Sequence, residues 1–264
     1  MSRDRTRSHY AAHADGQSLA ERASGPLYAL KRYHNAVKLD LLRQYAPRGG
    51  RLLDVGCGRG GDIRKWSHLR RVVAVDVCAE EIVEARRRLA AAPPRGAVVD
   101  FRVADFATDY RAEVEPFDAA SCMFALHYFF ESEATLHACL RNVASSLRPG
   151  GVFVGCMPDG DAVLRAVAEG APTPYLRLAP AWGAGPPPAF GAAYEFALLD
   201  TVTAGVDGRT TGSLEYLARW DVLCAAARAH GLEPLARGPF APPEPFAGHE
   251  ASRLFTWFVF TSSR

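Results

Sequence analysis

The sequence lacks any run of about eighteen apolar residues, and this excludes a predicted helical membrane span. Its 6 cysteines form no C-x-x-C pair and follow no regular spacing, which argues against a zinc site. Several of them lie inside apolar runs, where a reduced thiol behaves as a small hydrophobic side chain. The opening residues, Met1-Ser2-Arg3-Asp4-Arg5, lack the apolar core of a signal peptide. We therefore expect an intracellular protein in a reducing compartment, without a metal centre.

The chain also lacks a strong net charge. Its 31 Lys and Arg residues against 29 Asp and Glu residues give a formal charge of +2. No field of the whole protein would therefore attract nucleic acid, and any such contact must be local. With 264 residues and 48% hydrophobic content, the chain is long and apolar enough for one large α/β domain, with room for a small inserted lobe.

A glycine-rich stretch follows the first predicted strand. Residues 52–62 read L-L-D-V-G-C-G-R-G-G-D, and the next apolar run ends in Asp76. Glycines let the backbone turn tightly and approach a ligand, and an acidic residue at the end of the second strand suits the two hydroxyls of a ribose. The spacing D-x-G-x-G-x-G, in place of the dinucleotide fingerprint G-x-G-x-x-G, favours S-adenosylmethionine over NAD. The alternative is a glycine-rich turn that binds no ligand.

Short apolar runs alternate with helical patterns over residues 30–157. The predicted strands are 51–55, 72–76, 98–103, 117–122 and 151–156, and the predicted helices are 28–45, 61–67, 79–91 and 133–147. Strands separated by helices favour an α/β fold with a mostly parallel, doubly wound sheet. In such a sheet a ligand binds beyond the carboxyl ends of the strands.

The pattern changes after Pro158. Residues 170–193 are rich in Gly, Ala and Pro, so no regular element is expected there. Strands are predicted at 194–203, 213–218 and 254–261, a helix at 219–231, and a closing β-hairpin within 232–261. We expect a single domain over 1–264, divided into a cofactor-binding core at about 28–157, a smaller lobe at about 158–250 and a final strand at 251–264.

Several segments share the pattern of one known family. They are His9-Tyr10, L-K-R-Y-H-N-A-V-K at 30–38, D-V-G-C-G-R-G-G-D at 54–62, F-A-L-H-Y-F-F-E-S at 124–132, R-N-V at 141–143, L-R-P-G-G at 147–151, Pro158-Asp159, Y-E-F at 194–196 and L-E-Y-L at 214–217. Together they resemble the messenger-RNA cap (guanine-N7) methyltransferase family. The resemblance implies a Rossmann-like class I methyltransferase fold whose mostly parallel sheet ends in a β-hairpin, with a small inserted cap-binding lobe.

The resemblance also implies an activity and its partners. A methyl group would pass from S-adenosylmethionine to nitrogen 7 of the terminal guanosine of capped RNA. Capped RNA is then the substrate, other capping enzymes or RNA polymerase are possible recruiting partners, and no membrane is involved. A cellular enzyme would act in the nucleus, and a viral one in the cytoplasm or a virus factory.

The resemblance assigns a set of cofactor-binding residues. They are Lys38 for the methionyl carboxylate, Asp54 for the amino group, Gly56 and Gly58 in the glycine loop, Asp76 for the ribose, Asp105 for the adenine amino group, and Met123, which contributes mainly backbone. A solvated lysine at 38 and a helix N-cap at Asp105 are the alternatives. Met123 stands where the family usually has Gln.

The resemblance also assigns a set of cap-binding residues. They are Asn35, Arg59, Arg88, His127, Tyr128, Pro158, Glu215 and Phe255. Glu215 would accept hydrogen bonds from N1–H and the exocyclic amine of guanine, and Pro158 would pack against the base. The alternative for His127 and Tyr128 is a satisfied core histidine beside a packed tyrosine, and for Arg88 a solvated helix face.

Besides Met123, three further positions depart from the family pattern. Arg59 replaces a lysine and keeps its charge, so it would still suit the triphosphate. Ala36 replaces a tryptophan, and Phe255 replaces a tyrosine near the cap and loses the hydroxyl.

No acid–base residue is needed for the implied reaction, because nitrogen 7 of guanine carries a free lone pair and no proton. His127, Tyr128 and Glu215 would act by positioning. Two other functions stay open, a methyltransferase that acts on a small molecule and a non-catalytic cap-binding subunit. The first leaves His127, Tyr128 and Glu215 unexplained, and the intact cofactor set argues against the second.

Overall fold

The computed structural model describes residues 25–110, 115–171, 173–199, 201, 203 and 212–263. His9 and Tyr10, which carry the first part of the family resemblance, lie outside these ranges. No helix within these ranges is long and apolar enough to cross a membrane.

Ten strands form two sheets in the described part of the chain. The strands are β1 (Arg51–Val55), β2 (Arg71–Asp76), β3 (Val98–Val103), β4 (Phe117–Met123), β5 (Leu147–Pro158), β6 (Leu176–Pro180), β7 (Ala193–Leu198), β8 (Ser213–Tyr216), β9 (Leu232–Pro239) and β10 (Phe255–Ser262). The larger sheet has the order β3-β2-β1-β4-β5-β10-β9, and the smaller one the order β6-β7-β8. Strands β1 to β5 are parallel, whereas β10 is antiparallel to both of its neighbours. The predicted α/β class and the closing hairpin are therefore confirmed.

Helices cover both faces of the larger sheet. They are α1 (Tyr28–Tyr45), α2 (Ala79–Ala91), α3 (Glu133–Ser146), α4 (Gly160–Glu169), α5 (Trp220–Arg228) and α6 (His249–Ser252). Successive side chains of a strand point to opposite faces, so Leu52 joins the hydrophobic cluster on the α1 side and Leu53 joins the cluster on the α3 side. Strand β1 is buried along its whole length, as the central strand of a doubly wound sheet must be.

Two predicted elements were wrong. The segment 170–193, where no regular element was expected, contains β6, because backbone pairing with β7 stabilises residues whose Pro and Gly neighbours weaken the local signal. The predicted helix at 61–67 is a short 3-10 turn at Ile63–Trp66.

The smaller sheet packs near the carboxyl ends of the parallel strands. Its strand β8 contacts a second 3-10 turn, Leu126–Glu131, which follows β4 directly. The predicted lobe range 158–250 also includes α5 and β9, and β9 pairs within the larger sheet. The division of the chain into core, lobe and final strand stays a prediction.

Candidate active site

The glycine loop after β1 brings the backbone against the segment that follows β4. Gly56 has φ of +73°, in the left-handed region that favours glycine. A Cβ added there would lie 2.4 Å from the Cβ of Ala125, so no other residue fits without a shift. Glycine at position 56 therefore lets the loop pack against the segment after β4, at the carboxyl edge of the parallel strands, where ligands of α/β sheets bind.

Asp76, at the end of β2, holds this loop in place through hydrogen bonds to its backbone. One carboxylate oxygen accepts from the backbone N–H of Gly58 at 2.8 Å, and the other accepts from that of Cys78 at 2.9 Å. Burial raises the pKa of Asp76, although both backbone donors favour the charged form. Because a carboxylate offers about four acceptor sites, Asp76 can hold the loop and still accept from a ligand.

Two lysines share the carboxylate of Asp62. Its Oδ1 lies 2.7 Å from Nζ of Lys38 on α1 and 2.6 Å from Nζ of Lys65 in the 3-10 turn. Burial alone would raise the pKa of Asp62, but the two ammonium groups outweigh it and lower the pKa to about 2. Burial likewise works to lower the pKa of Lys38, but attraction to Asp62 prevails and raises it. Lys65 also donates to Oδ1 of Asn35 at 2.7 Å.

Asp54, at the end of β1, is a buried carboxyl without an ion pair of its own in the described structure. The hydroxyl of Ser121 on β4 donates to its Oδ1 at 2.5 Å. Burial and the nearby Asp62 carboxylate raise the pKa of Asp54 to about 7, against the opposing effects of Ser121 and Lys38. Asp54 therefore titrates near neutral pH and suits a cationic partner.

The remaining two predicted cofactor residues also lie at this edge. Asp105 follows β3, and its Oδ1 accepts from the backbone N–H of Ala107 at 2.9 Å, which makes a turn rather than a helix N-cap. Met123 ends β4 and is buried. The structure therefore brings the cofactor set together at the carboxyl ends of four adjacent parallel strands and on the facing helix α1.

Glu215 lies on the smaller sheet, in a buried hydrogen-bond network. The hydroxyl of Ser213 donates to its Oε1 at 2.9 Å, and the hydroxyl of Tyr194 donates to its Oε2 at 3.1 Å. Burial raises the pKa of Glu215 to about 8, although the hydroxyls of Ser213, Tyr194 and Tyr128 favour the charged form. The carboxyl therefore changes its charge just above neutral pH.

His127 and Tyr128 reach Glu215 from the 3-10 turn at the end of β4. The Nε2 atom of His127 lies 3.6 Å from Oε2 of Glu215, beyond hydrogen-bond distance. Both ring nitrogens of His127 are buried without a hydrogen-bond partner among the residues that the structure describes. Burial lowers the pKa of His127 to about 3, so the ring is neutral. A buried imidazole with unsatisfied nitrogens calls for a partner other than the described residues, such as a ligand or a water molecule.

An aromatic cluster formed by His34, Phe124 and Phe255 lies next to Lys38. Phe255 begins β10 opposite Pro158, and its ring packs against His34 at 5.1 Å and Phe124 at 5.2 Å between ring centroids. Phe124 has φ of +61°, a strained conformation for a bulky residue, and the Nζ of Lys38 lies 5.7 Å from its ring centroid. Phe124 therefore contacts both the ammonium group of Lys38 and the ring of Phe255.

The two predicted phosphate-binding arginines are engaged by glutamates. Arg59 is buried, and its Nε and Nη2 donate to both carboxylate oxygens of Glu81 at 3.2 and 2.9 Å. The Nε of Arg88 donates to Glu84 at 2.6 Å. The contact of these arginines with a triphosphate stays a prediction, because a phosphate group would have to compete with a bidentate ion pair at Arg59.

Sequence reasoning missed four contributors to this site. Asp62 and Lys65 have the i,i+3 spacing of an ion pair, a signal that could have identified them. His34 and Tyr194 carry no such local signal, because their partners come from α6 and β8, far away in the chain.

A model of a protein family described as the mRNA (guanine-N(7))-methyltransferase domain matches residues 2–242 of this chain. The mRNA cap guanine-N(7) methyltransferase 1 of Oryza sativa subsp. japonica is 36% identical over 178 residues, which cover 62% of this chain and 48% of that protein. The corresponding protein of Schizosaccharomyces pombe is 28% identical over 260 residues, which cover 90% of this chain and 68% of that protein. The chain spans about half the length of the rice relative.

Solved structures agree with the fold. The CcbJ methyltransferase from Streptomyces caelestis superposes with a TM-score of 0.62 at 17% identity, over 96% of each chain. The N-methyltransferase NodS from Bradyrhizobium japonicum, in complex with S-adenosyl-l-homocysteine, superposes with a TM-score of 0.58 at 15% identity, over 98% of this chain and 99% of that one. Such low identities establish the fold alone, whereas the family model extends over most of the sequence. The chain therefore belongs to the mRNA (guanine-N(7))-methyltransferase family.

Proposed function

We propose that this chain transfers a methyl group from S-adenosylmethionine to nitrogen 7 of the terminal guanosine of capped RNA. The observation that carries the proposal is the meeting of a buried carboxyl, Glu215, with the unsatisfied ring nitrogens of His127 beside the glycine-loop edge. Family membership and the presence of the curated cap methyltransferases among its relatives support the same reaction.

The residues at the glycine-loop edge fit S-adenosylmethionine. Gly56 and Gly58 have positive φ and carry no side chains at this edge, and Asp76 would accept from the ribose hydroxyls. Asp54, buried and short of a cation, suits the amino group, and Lys38 suits the methionyl carboxylate. When bound, the cofactor would supply an electrophilic methyl group on its sulfonium sulfur.

The chain's own contribution to the reaction is positioning. Nitrogen 7 of guanine is already a nucleophile, so catalysis rests on holding it in line with the methyl group at about 3–3.5 Å. Glu215 would fix the base by accepting from N1–H and the exocyclic amine, while Pro158 packs against it. The negative charge of Glu215 would also offset the charge that the base gains.

The capped end of the RNA would contact residues from the turn after β4 and residues from α1 and β10. His127 and Tyr128 would contact the guanosine and its phosphates, and Asn35 and Phe255 would line the same pocket. Lys65, which already donates to Asn35, adds a cation next to this pocket. Arg59 and Arg88 would reach the triphosphate by exchanging or sharing their glutamate partners.

A methyl-transfer assay tests the proposal, with GpppG-capped RNA compared with uncapped RNA and free GTP. Methylation of the capped RNA well above both others is the expected result. Binding of S-adenosylhomocysteine without any transfer to capped RNA would instead favour a methyltransferase that acts on a small molecule. A chain that binds no cofactor in titration calorimetry would be a non-catalytic cap-binding subunit.

The proposal also includes the proteins that would recruit this chain to RNA. We expect association with other capping enzymes or RNA polymerase, in the nucleus for a cellular protein and in the cytoplasm or a virus factory for a viral one. Affinity capture of tagged protein from its own host, followed by identification of the bound proteins, checks this expectation.

A further inference from the structure

One face of the smaller sheet is built around the Glu215 carboxyl. Tyr194 on β7 lies directly opposite Glu215 on β8 in the antiparallel register. Ser213 lies two residues before Glu215 on the same strand, and residues at i and i+2 share a face of the sheet. All three side chains are buried, so the strand pairing alone places two hydroxyls beside one carboxyl.

The two hydroxyls hold different oxygens of that carboxyl. Ser213 donates to Oε1 at 2.9 Å, and Tyr194 donates to Oε2 at 3.1 Å. One donor on each oxygen fixes the plane of the group. A carboxylate has about four acceptor sites, and the hydroxyl of Tyr128 also donates to this carboxyl, so the sites not held by Ser213 and Tyr194 are the ones that a ligand would take.

The remaining neighbours of Glu215 carry no fixed charge. The 3-10 turn after β4 supplies the neutral ring of His127, whose Nε2 lies 3.6 Å from Oε2, and the half-buried hydroxyl of Tyr128. Within the described part of the chain, the groups that face Glu215 are these two side chains with Ser213 and Tyr194, and none of them is a fixed cation. Hydroxyls thus orient the carboxyl without neutralising it.

We propose that Tyr194 and Ser213 are specificity-determining positioning residues, which aim the remaining acceptor sites of Glu215 at the N1–H and the exocyclic amine of guanine. This inference rests on the proposed function, because it assumes that guanine is the base. The half-buried hydroxyl of Tyr128 is the neighbour that the donors of the base would replace.

Ser213 and Tyr194 also differ in how closely they depend on the charge of Glu215. The single proton of the Ser213 hydroxyl has a second acceptor, the carbonyl oxygen of Phe196 at 3.2 Å. If Glu215 takes up a proton, Ser213 can donate to Phe196 and accept from Glu215. The recorded hydrogen bond of the Tyr194 hydroxyl goes to Glu215. We therefore expect the larger effect from loss of the Tyr194 hydroxyl.

Tyr194→Phe and Ser213→Ala test the inference, with Tyr45→Phe near the opposite end of the sheet and Ser145→Ala on α3 as matched controls. Each variant is measured for S-adenosylhomocysteine affinity, for affinity to the cap analogue GpppG, and for kcat/KM on guanosine-capped and inosine-capped RNA across pH. We expect unchanged S-adenosylhomocysteine affinity and a fall of roughly tenfold in kcat/KM on the guanosine cap for Tyr194→Phe, with a smaller fall for Ser213→Ala. The preference for guanosine over inosine should shrink in both.

The pH profile distinguishes positioning from simple packing. Both hydroxyls favour the charged carboxylate, so their removal raises the pKa of Glu215 and moves the acid limb of kcat/KM to higher pH. Ser213→Thr keeps a hydroxyl and should restore the acid limb. A loss of packing alone would leave both the acid limb and the base preference where they are.

The possible outcomes separate the two proposals. If the unaltered chain binds GpppG but methylates no capped RNA, the proposed function fails, while the binding data still test the positioning roles. If it binds no GpppG, both proposals fail. If it methylates the guanosine cap and both variants keep the original base preference and acid limb, the positioning roles are overturned. If Tyr194→Phe sharply lowers the melting temperature, the base preference and the acid limb of Ser213→Ala alone decide whether the positioning roles hold.

Discussion

Three buried carboxyls of the site differ in charge because their partners differ. Two ammonium groups hold the pKa of Asp62 at about 2, so this side chain is ionised at any physiological pH. Asp54, with a hydroxyl partner in Ser121, has a pKa raised by burial to about 7. Glu215, also held by hydroxyls, has one raised by burial to about 8. At the residue scale the site therefore combines Asp62, which is always ionised, with Asp54 and Glu215, whose ionised forms a bound ligand's hydrogen-bond donors would stabilise.

Asp76→Ala should weaken S-adenosylhomocysteine binding by about 1.5–3 kcal/mol, or roughly 10- to 150-fold. The substitution removes the acceptor for the ribose hydroxyls and also releases the backbone N–H groups of Gly58 and Cys78. Titration calorimetry measures the loss. Asp109→Ala, at an exposed carboxylate paired with Arg141, is the matched control and should bind normally. An unchanged dissociation constant for Asp76→Ala would contradict the assignment of Asp76 as the acceptor for the ribose hydroxyls.

Lys38→Met should weaken S-adenosylmethionine much more than 5′-methylthioadenosine, because only the first carries the methionyl carboxylate. The expected difference is roughly tenfold or more, the loss of a hydrogen bond to a charged group. Lys65 still neutralises Asp62 in the variant, so the fold should survive. Lys31→Met on the same helix serves as the control. Equal losses for both ligands would mean that Lys38 acts only through its ion pair with Asp62.

At the scale of elements, the sequence predicted most of the larger sheet because its strands are continuous apolar runs. Strand β1 is predicted and observed at 51–55, and the helix at 79–91 matches α2. Strand β6 was missed, because it lies in a Gly, Ala and Pro segment and owes its structure to pairing with β7. Helix α4 was also missed, although Asp159 caps it by accepting from the N–H of Ala162 at 3.0 Å.

The glycine loop offers a prediction at the same scale. Gly56→Ala should lower the free energy of unfolding by about 1–3 kcal/mol, since the new Cβ meets Ala125 at 2.4 Å and the backbone has a positive φ. Gly61→Ala is the matched control in the same loop. A Cβ there meets nothing within 4 Å, so its effect should stay within about 0.5 kcal/mol. Chemical denaturation followed by circular dichroism measures both, and equal stabilities would contradict the close approach.

At the scale of the whole molecule, the site depends on how the two sheets meet. The family motifs identified Glu215 and His127 individually, but nothing local in the sequence places them 3.6 Å apart. The same holds for the hydrogen bond at 3.0 Å between His34 on α1 and Ser252 on α6, which joins the first described helix to the last. Motifs therefore predict which residues matter, whereas their partners depend on packing between distant elements.

The contact between the two sheets, which places Glu215 near His127, should determine which cap base the protein methylates. Glu215 can accept from both the N1–H and the amine of guanine, whereas inosine offers only the first and adenine lacks N1–H. A buried charged acceptor left unpaired costs about 1–3 kcal/mol or more. We therefore expect methylation of a guanosine cap, slower methylation of an inosine cap, and none of an ApppG cap.

Variants and pH test this role of Glu215 together. Because burial raises the pKa of Glu215 to about 8, its ionised fraction falls as the pH drops through 8, and kcat/KM for the cap should fall with it. Glu215→Gln should lose activity on the guanosine cap and the acid limb near pH 8, yet bind S-adenosylhomocysteine normally. Glu195→Gln is the control, because Glu195 is the neighbour of Tyr194 on β7 and points to the other face of the sheet. Full activity and an unchanged guanine preference in Glu215→Gln would place base recognition elsewhere in the pocket.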